Sequence, residues 1–450
     1  MKRILSSVKK LRAGIARSFP VTITLSAVLL SVTLNMRAAW FAKFDGVDGS
    51  ASWAGDVDGD GRGDVGMIRA GAYMSGIQDA SGNFTWTAPR SIGTTNVSGA
   101  TIGHLLDPNR FALAVTSPDI NRINIFDLTP GASGVPVSVF LPSIGPNVVV
   151  ATDIGGVGNT AHEDFFITSI LNSGAPNRFT TLRNTGGASF PEIQDEVMIS
   201  FEHGNAVVLK LNDPQIVGVM ERGGVTDTFR GLSFASGVMQ NIISLAGLPR
   251  GSEFLYGNFG GTALSRFLFY RPGESNLLVS AVQEPVPGTF TFGALSTFQM
   301  GHALEFVAAL PGAQPGEIRH KFFAIVDRSQ LARVYDFDGT NAPTVVQTFA
   351  PAEGEIFFGG IGIGNNDFMI FSRPAIGGQL TAGHKFAVHR HVNGAYVPGQ
   401  TGALPMISAL SHAANVFEFR FEPFVNAVPN LLRSLDASDW SSLFMLNGNP

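Results

Sequence analysis

The chain contains no cysteine. Disulfides, thiolate nucleophiles and cysteine-based zinc sites are therefore excluded. Charge is sparse: only 14% of residues are Asp, Glu, Lys or Arg. Beyond the first twenty residues no basic cluster occurs, so the electrostatic footprint of a nucleic-acid binder is missing. No nucleophile elbow, phosphate loop, dinucleotide fingerprint or HExxH motif is present. Long amphipathic helical patterns are also scarce. The clearest helix candidate is Val428–Leu435, with Pro429 in its first turn.

Glycine (53 of 450), phenylalanine (36) and proline (25) are present instead. Phenylalanine suits strands and fills the space between packed sheets, while glycine and proline supply tight turns. Seven short apolar runs recur: Asp64–Ile68, Arg110–Val115, Asp164–Thr168, Gln215–Met220, Arg266–Tyr270, Lys321–Val326 and Asp367–Phe371. Their first residues are 46, 54, 51, 51, 55 and 46 positions apart. A period near fifty, carried by short strands and Gly/Pro turns, is the signature of propeller blades. One blade cannot bury both of its faces, whereas a stacked ring of blades can. The expected fold is all-β: a seven-bladed propeller over residues 40–450, with the seven runs on equivalent strands near the axis. Eight blades is the alternative, because Asn415–Phe421 alternates like a further strand. That segment could equally pair near Trp40–Phe44 and close the ring. Residues 400–450 are then ring closure or a C-terminal extension.

The loop Asp56-Val57-Asp58-Gly59-Asp60-Gly61-Arg62-Gly63-Asp64 places four carboxylates at alternating or near-alternating positions. Anions so close together repel unless a cation neutralises them. Hard oxygen donors suit Ca²⁺. The expected ligands are Asp56, Asp58, Asp60, the main-chain oxygen of Arg62, and Asp64. The loop is not an EF-hand, because position twelve is Met67 rather than a bidentate Glu and the flanks read as strands. This strand–acidic loop–strand unit, carried by "GDVDGDGRGDV", resembles the FG-GAP/VCBS repeat of integrin-like β-propellers. Weaker copies of its frame stand at Asp153–Asn159, Gly257–Arg266 and Gly359–Asp367. In the second of these Asn258, Gly260, Thr262 and Arg266 occupy the aspartate positions, so one intact site is expected and no second of equal quality.

Residues 1–20 carry six basic residues and no acid, and Val21–Leu34 is then apolar apart from Thr and Ser. A basic segment followed by a short apolar block reads as an export signal. Fourteen residues fall short of the roughly twenty that a membrane-spanning helix needs. The expectation is that residues 1–38 act as a signal peptide, with a retained N-terminal anchor as the alternative. Loss of residues 1–42 would remove seven basic residues and no acid, taking the formal net charge from −5 to −12. The protein is thus expected to be secreted or in the cell envelope, extracellular or periplasmic.

Other features carry less. Arg62-Gly63-Asp64 spells an integrin-recognition tripeptide, but the metal reading already uses both charged residues. His389 and His391 share a strand face and read as a surface pair rather than a metal site. His162-Glu163-Asp164 ends a decayed loop and is not read as an acid–base cluster. No catalytic residue is assigned. Two functions remain. One is a non-catalytic binding or cell-surface interaction protein with an unknown extracellular protein or glycan as ligand, which the FG-GAP/VCBS resemblance favours. The other is a propeller enzyme acting on polysaccharide, a lyase or hydrolase, with its groups gathered at the axis.

Overall fold

A computed structural model describes residues 40–43, 51–117, 121–141, 145–152, 162–169, 177–186, 189–190, 192–199, 202–209, 216–233, 239–257, 259, 266–286, 289–310, 321–326, 331–375, 383–405, 410–412 and 416–418. The expected signal segment, the helix candidate Val428–Leu435 and the loop Asp153–Asn159 lie outside these residues. So does most of the loop Gly257–Arg266.

Every described element is a strand. Strands β1 (Trp40–Lys43), β2 (Ala51–Gly55), β3 (Asp64–Arg69), β4 (Ala72–Gln78) and β5 (Phe84–Trp86) form an antiparallel sheet in chain order, with β6 (Arg90–Ser91) also on β4. The second sheet holds β7 (Gly99–Asp107), β8 (Arg110–Ser117), β9 (Arg122–Asp127) and β10 (Val137–Phe140). The third holds β11 (Pro146–Thr152), β12 (Asp164–Ser169), β13 (Asn177–Arg183) and β14 (Glu192–Ile199). The fourth holds β15 (Glu202–Leu209), β16 (Ile216–Arg222), β17 (Thr226–Ser233) and β18 (Gln240–Pro249). Next come β19 (Glu253–Gly257), β20 (Arg266–Tyr270), β21 (Glu274–Val286) and β22 (Thr289–Phe292), then β23 (Ser296–Leu310), β24 (Lys321–Val326), β25 (Leu331–Asp336) and β26 (Thr344–Phe349). These two meanders fuse into one sheet because the long strands β21 and β23 pair with each other. Strands β27 (Glu355–Gly364), β28 (Asp367–Pro374), β29 (Lys385–Val392) and β30 (Ala395–Ala403) complete the series. A separate hairpin joins β31 (Leu410–His412) and β32 (Val416–Glu418).

The first strands of the successive meanders touch one another in chain order: β2, β7, β11, β15, β19, β23 and β27. Strand β27 then returns to β2. Closed in this way, the sheets form a β-propeller. Apolar clusters fill the spaces between neighbouring sheets. Trp53, Ile68 and Tyr73 meet Phe111, Leu113 and Phe126 between the first and second. Met220 and Phe229 meet Phe254, Phe267 and Phe269 between the fourth and fifth. The largest cluster joins Phe323 and Val334 to Phe368 and Phe371 and on to Val65 and Met67, spanning the ring closure. Every meander is thus covered on both faces. This is why the runs are continuously apolar instead of alternating. All six residues of β3 and all five of β20 are buried.

The seven runs do occupy equivalent strands: β3, β8, β12, β16, β20, β24 and β28, the second of each meander when the first is counted from β2, to whose edge β1 is added. They sit one strand out from the first strands that contact each other around the ring. The runs are thus equivalent strands, each next to a strand of the contacting ring. Hydrophobicity marks the strand covered on both faces, and β27 beside the last run combines buried Phe357 and Phe358 with the glycines of Gly359-Gly360-Ile361-Gly362. Gly359–Asp367 is corrected: it is strand and a two-residue hairpin, not a loop. Asn365 and Asn366 both have positive φ (58° and 59°) and Gly364 pairs with Asp367, the backbone of a tight turn between twisted strands. The Val416–Glu418 part of Asn415–Phe421 pairs with β31, while β1 pairs with β2. Among the described residues no pairing joins these two segments, a pairing that is one of the alternatives for this stretch.

Closure between the last sheet and the first uses side chains as well as packing. Gln400 on β30 treats the outer strand of the first sheet as a ladder partner. Its Oε1 accepts from Phe84 N at 2.5 Å and its Nε2 donates to Phe84 O at 3.0 Å. Gln347 on β26 does the same to the next sheet, accepting from Tyr396 N and donating to Tyr396 O, both at 2.9 Å. Arg390 adds a bond to the carbonyl of Gly82.

Candidate metal centre

The acidic loop connects the first two strands of the first meander. Strand β2 stops at Gly55, eight residues turn, and β3 begins at Asp64. Gly59 and Gly61 have φ of 81° and 85°, a conformation that side chains with a Cβ adopt at a cost. Within the turn the carboxylates organise the backbone. Asp56 Oδ1 accepts from Gly59 N at 2.8 Å and Asp60 N at 3.1 Å, and its Oδ2 accepts from Gly61 N at 2.8 Å. Asp58 Oδ1 accepts from Asp60 N at 3.1 Å, and Asp60 Oδ1 accepts from Arg62 N at 2.8 Å. Such local bonds are what Asp offers in preference to regular structure.

Asp56, Asp58 and Asp64 each bring one carboxylate oxygen within 4.8 Å of the others. Two unit charges about 4 Å apart repel by about 4 kcal/mol at an effective dielectric near 20. A hard divalent cation would relieve that repulsion, and an all-oxygen donor set is what Ca²⁺ takes. Asp60 is placed differently. Its Oδ2 meets the Arg62 guanidinium, whose Nε also donates to Gln78 O at 2.9 Å. Arg62 therefore offers the loop a countercharge from its side chain as well as a main-chain oxygen.

Asp64 is fully buried. Its Oδ2 accepts from Val57 N at 2.9 Å and its Oδ1 from Gln78 N at 2.8 Å. Desolvation, helped by the charges of Asp58 and Asp56, raises its pKa to about 6 against the lowering effect of the two backbone donors. A bond of this kind recurs elsewhere in the ring. Asp164 opens the second strand of the third meander and accepts from Asn184 N at 2.7 Å. Asp367 opens that of the last meander and accepts from His391 N at 2.7 Å. In all three sheets the aspartate ties the start of the second strand to the end of the third. Asp64 thus has a structural task that does not depend on a metal. The sequence carries the signal, since three of the seven runs start with Asp, but a metal-centred reading passes over it.

No protein-family model matches the chain, and no curated protein matches it. Solved structures resemble it only distantly. A protein from Lactobacillus plantarum has a TM-score of 0.49 at 10% identity, over 82% of this chain and 96% of its own. BBS1N, crystallised in complex with ARL6DN, has 0.46 at 12% identity, over 72% and 88%. The Dos1 propeller has 0.41 at 8% identity, over 84% and 87%. The propeller assignment rests on this chain's own strand pairing and closure.

The remaining candidates fall into structural positions. With Asp64 buried, Arg62-Gly63-Asp64 is not displayed as a linear recognition sequence. Glu163 and Asp164 turn to separate backbone donors: Glu163 Oε2 accepts from His104 N at 2.7 Å, and Asp164 accepts from Asn184 N. His389 and His391 are not a surface pair. The His389 ring is buried between Phe349 and Phe368, with centroids 4.4 and 4.9 Å away. Burial pushes its pKa down to about 4, so it is neutral at physiological pH. His391 Nε2 lies 3.0 Å from Lys321 Nζ.

Proposed function

We propose that this chain is a seven-bladed, calcium-binding propeller of the FG-GAP/VCBS kind, exported from the cell and acting as a non-catalytic binding or surface-interaction protein. The observation that carries the reading is the convergence of Asp56, Asp58 and Asp64 within 4.8 Å in a loop built from Asx turns. Calcium would hold the loop between β2 and β3 through Asp56, Asp58 and Asp64, with the Arg62 carbonyl adding an oxygen and Asp60 joining the set on release from the Arg62 guanidinium. The seven second strands and the ring of first strands support the blade number. The basic and apolar N-terminal segment supports export, and an extracellular protein or glycan is the expected partner.

Calcium titration by calorimetry tests the central claim. One site is expected, weakened strongly in Asp58→Ala, while the other sheets stay folded because neighbour packing carries them. Three or more tight sites, or unchanged binding in Asp58→Ala, would show the assignment to be wrong. Export is tested by intact-mass measurement on protein from the native host. Loss of about the first 38 residues, or full-length chain held in the envelope, is expected. Full-length chain soluble in the cytoplasm would refute it.

A further inference from the structure

At the opposite end of the meanders from the acidic loop, a hollow of about 430 Å³ opens between the fourth and fifth sheets, lined by Arg222, Arg250, Gly251, Arg271 and Pro272. Arg222 ends β16, Arg250 follows β18 and Arg271 follows β20. The antiparallel order therefore brings three strand ends, and three guanidinium groups, to one mouth. No carboxylate lines it.

The three arginines are held differently. Arg222 is fixed. Its Nη1 donates to Asp227 Oδ2 and Ser252 O, and its Nη2 to Glu253 Oε1, all at 2.6 Å. Asp227 is fully buried and also accepts from Gly251 N at 2.8 Å and Ser252 N at 3.2 Å. This network sets the turn that carries Arg250, and it leaves two of the five guanidinium donors of Arg222 without a bond in it. Arg250 is exposed and donates to a neutral acceptor, Gly224 O, at 3.2 Å. Arg271 pairs with Glu274 at 3.2 Å, with the two side chains 48% and 47% exposed. An exposed pair of that sort contributes little and yields easily to a competitor. Asp227 and Glu253 offset the charge of Arg222 without lining the hollow, while Arg250 faces it with only a neutral acceptor and Arg271 with only an exposed partner. Guanidinium groups match oxyanions through paired hydrogen bonds.

We propose that this hollow binds a tetrahedral oxyanion, a sulfate or phosphate group carried as a monoester on a sugar-sized body. Arg250 and Arg271 close on the anion from either side, and Arg222 supplies the preset donor. Three guanidinium groups arriving from three strand ends suit a group with three free oxygens better than a carboxylate with two. The volume leaves room beside Pro272 for the ring that bears the ester. The site is independent of the calcium loop, which lies at the other end of the strands.

Calorimetry on the full chain, at constant ionic strength, would compare sodium sulfate, sodium phosphate, glucose 6-sulfate and glucose 6-phosphate, with sodium acetate as control. Saturable binding at one site is expected, weakened about tenfold or more in Arg250→Gln or Arg271→Gln, equivalent to about 1.4 kcal/mol. Arg110→Gln, an exposed arginine on the second sheet, should change nothing. Tighter binding of a sugar ester than of its free ion identifies the ester as the ligand, and the sulfate and phosphate arms decide between the two chemistries. Thermal unfolding at the wild-type temperature confirms that the variants are folded. No saturable binding of any tetrahedral probe, acetate binding as tightly as they do, or unchanged binding in both glutamine variants overturns the proposal.

Discussion

Replacing His389 with phenylalanine should remove an acid-sensitive element from the last sheet. The imidazole sits between Phe349 and Phe368 with centroids 4.4 and 4.9 Å away, and its Nδ1 is buried without a hydrogen-bond partner. Desolvation lowers its pKa from 6.5 to about 4. Between those values the unfolded chain binds a proton that the folded chain refuses, so stability must rise with pH across the window. The contribution is complete above pH 6.5 and lost as pH falls toward 4. From pH 7 down to 4.5 the linkage amounts to about 2 kcal/mol. Asp64 works in the opposite direction, because its pKa is raised, and it favours the folded state as pH falls through 6. It belongs to a different sheet with different hydrogen-bond partners and is unchanged in the variant. Its effect therefore cancels when wild type and His389→Phe are compared at each pH. Any packing cost of the larger ring is a constant offset and does not enter the slope. Urea unfolding from pH 4.5 to 7 would measure both proteins. Wild type should lose about 2 kcal/mol relative to His389→Phe on acidification, and parallel curves would refute the buried neutral imidazole.

The ring closure can be tested through Gln400. Gln400→Ala removes both bonds to the backbone of Phe84, and each unsatisfied amide group costs about 1–3 kcal/mol. A lower unfolding temperature is expected, with faster amide exchange in β5, and unchanged stability would show that Gln400 does not clamp the ring. Gly66 lies opposite Trp53 in the β2–β3 pairing, and a Cβ there would run into the fully buried indole. Gly66→Ala should therefore destabilise by about 1–3 kcal/mol or more, beyond Gly76→Ala, whose Cβ would stand 3.1 Å from the partly buried Trp86. Equal effects of the two substitutions in chemical denaturation would refute the steric argument.

Much of the architecture was legible in the chain alone. A strand covered on both faces must be apolar along its whole length, so seven continuous runs at a period near fifty mark seven equivalent strands before any contact is known. The acidic loop was legible for a similar reason, because its carboxylates are neighbours in sequence and the intervening glycines permit the turn. What joins distant parts of the chain was not legible. Gln400 reaches Phe84 across more than three hundred residues, and nothing local distinguishes it from any exposed glutamine. His389 looked like a surface residue because strand alternation reports which residues share a face, and only the neighbouring sheet decides whether that face is wet. The same holds for Asp64. Sequence showed a carboxylate in an acidic loop, while the fold revealed that Asp64, Asp164 and Asp367 perform one backbone task in three sheets. Arg222, Arg250 and Arg271 share no motif, and the packing of the fourth sheet against the fifth brings them to one hollow. Local chemistry and periodicity are written along the chain. Burial, closure and shared cavities arise between segments, and they are decided only when the sheets pack.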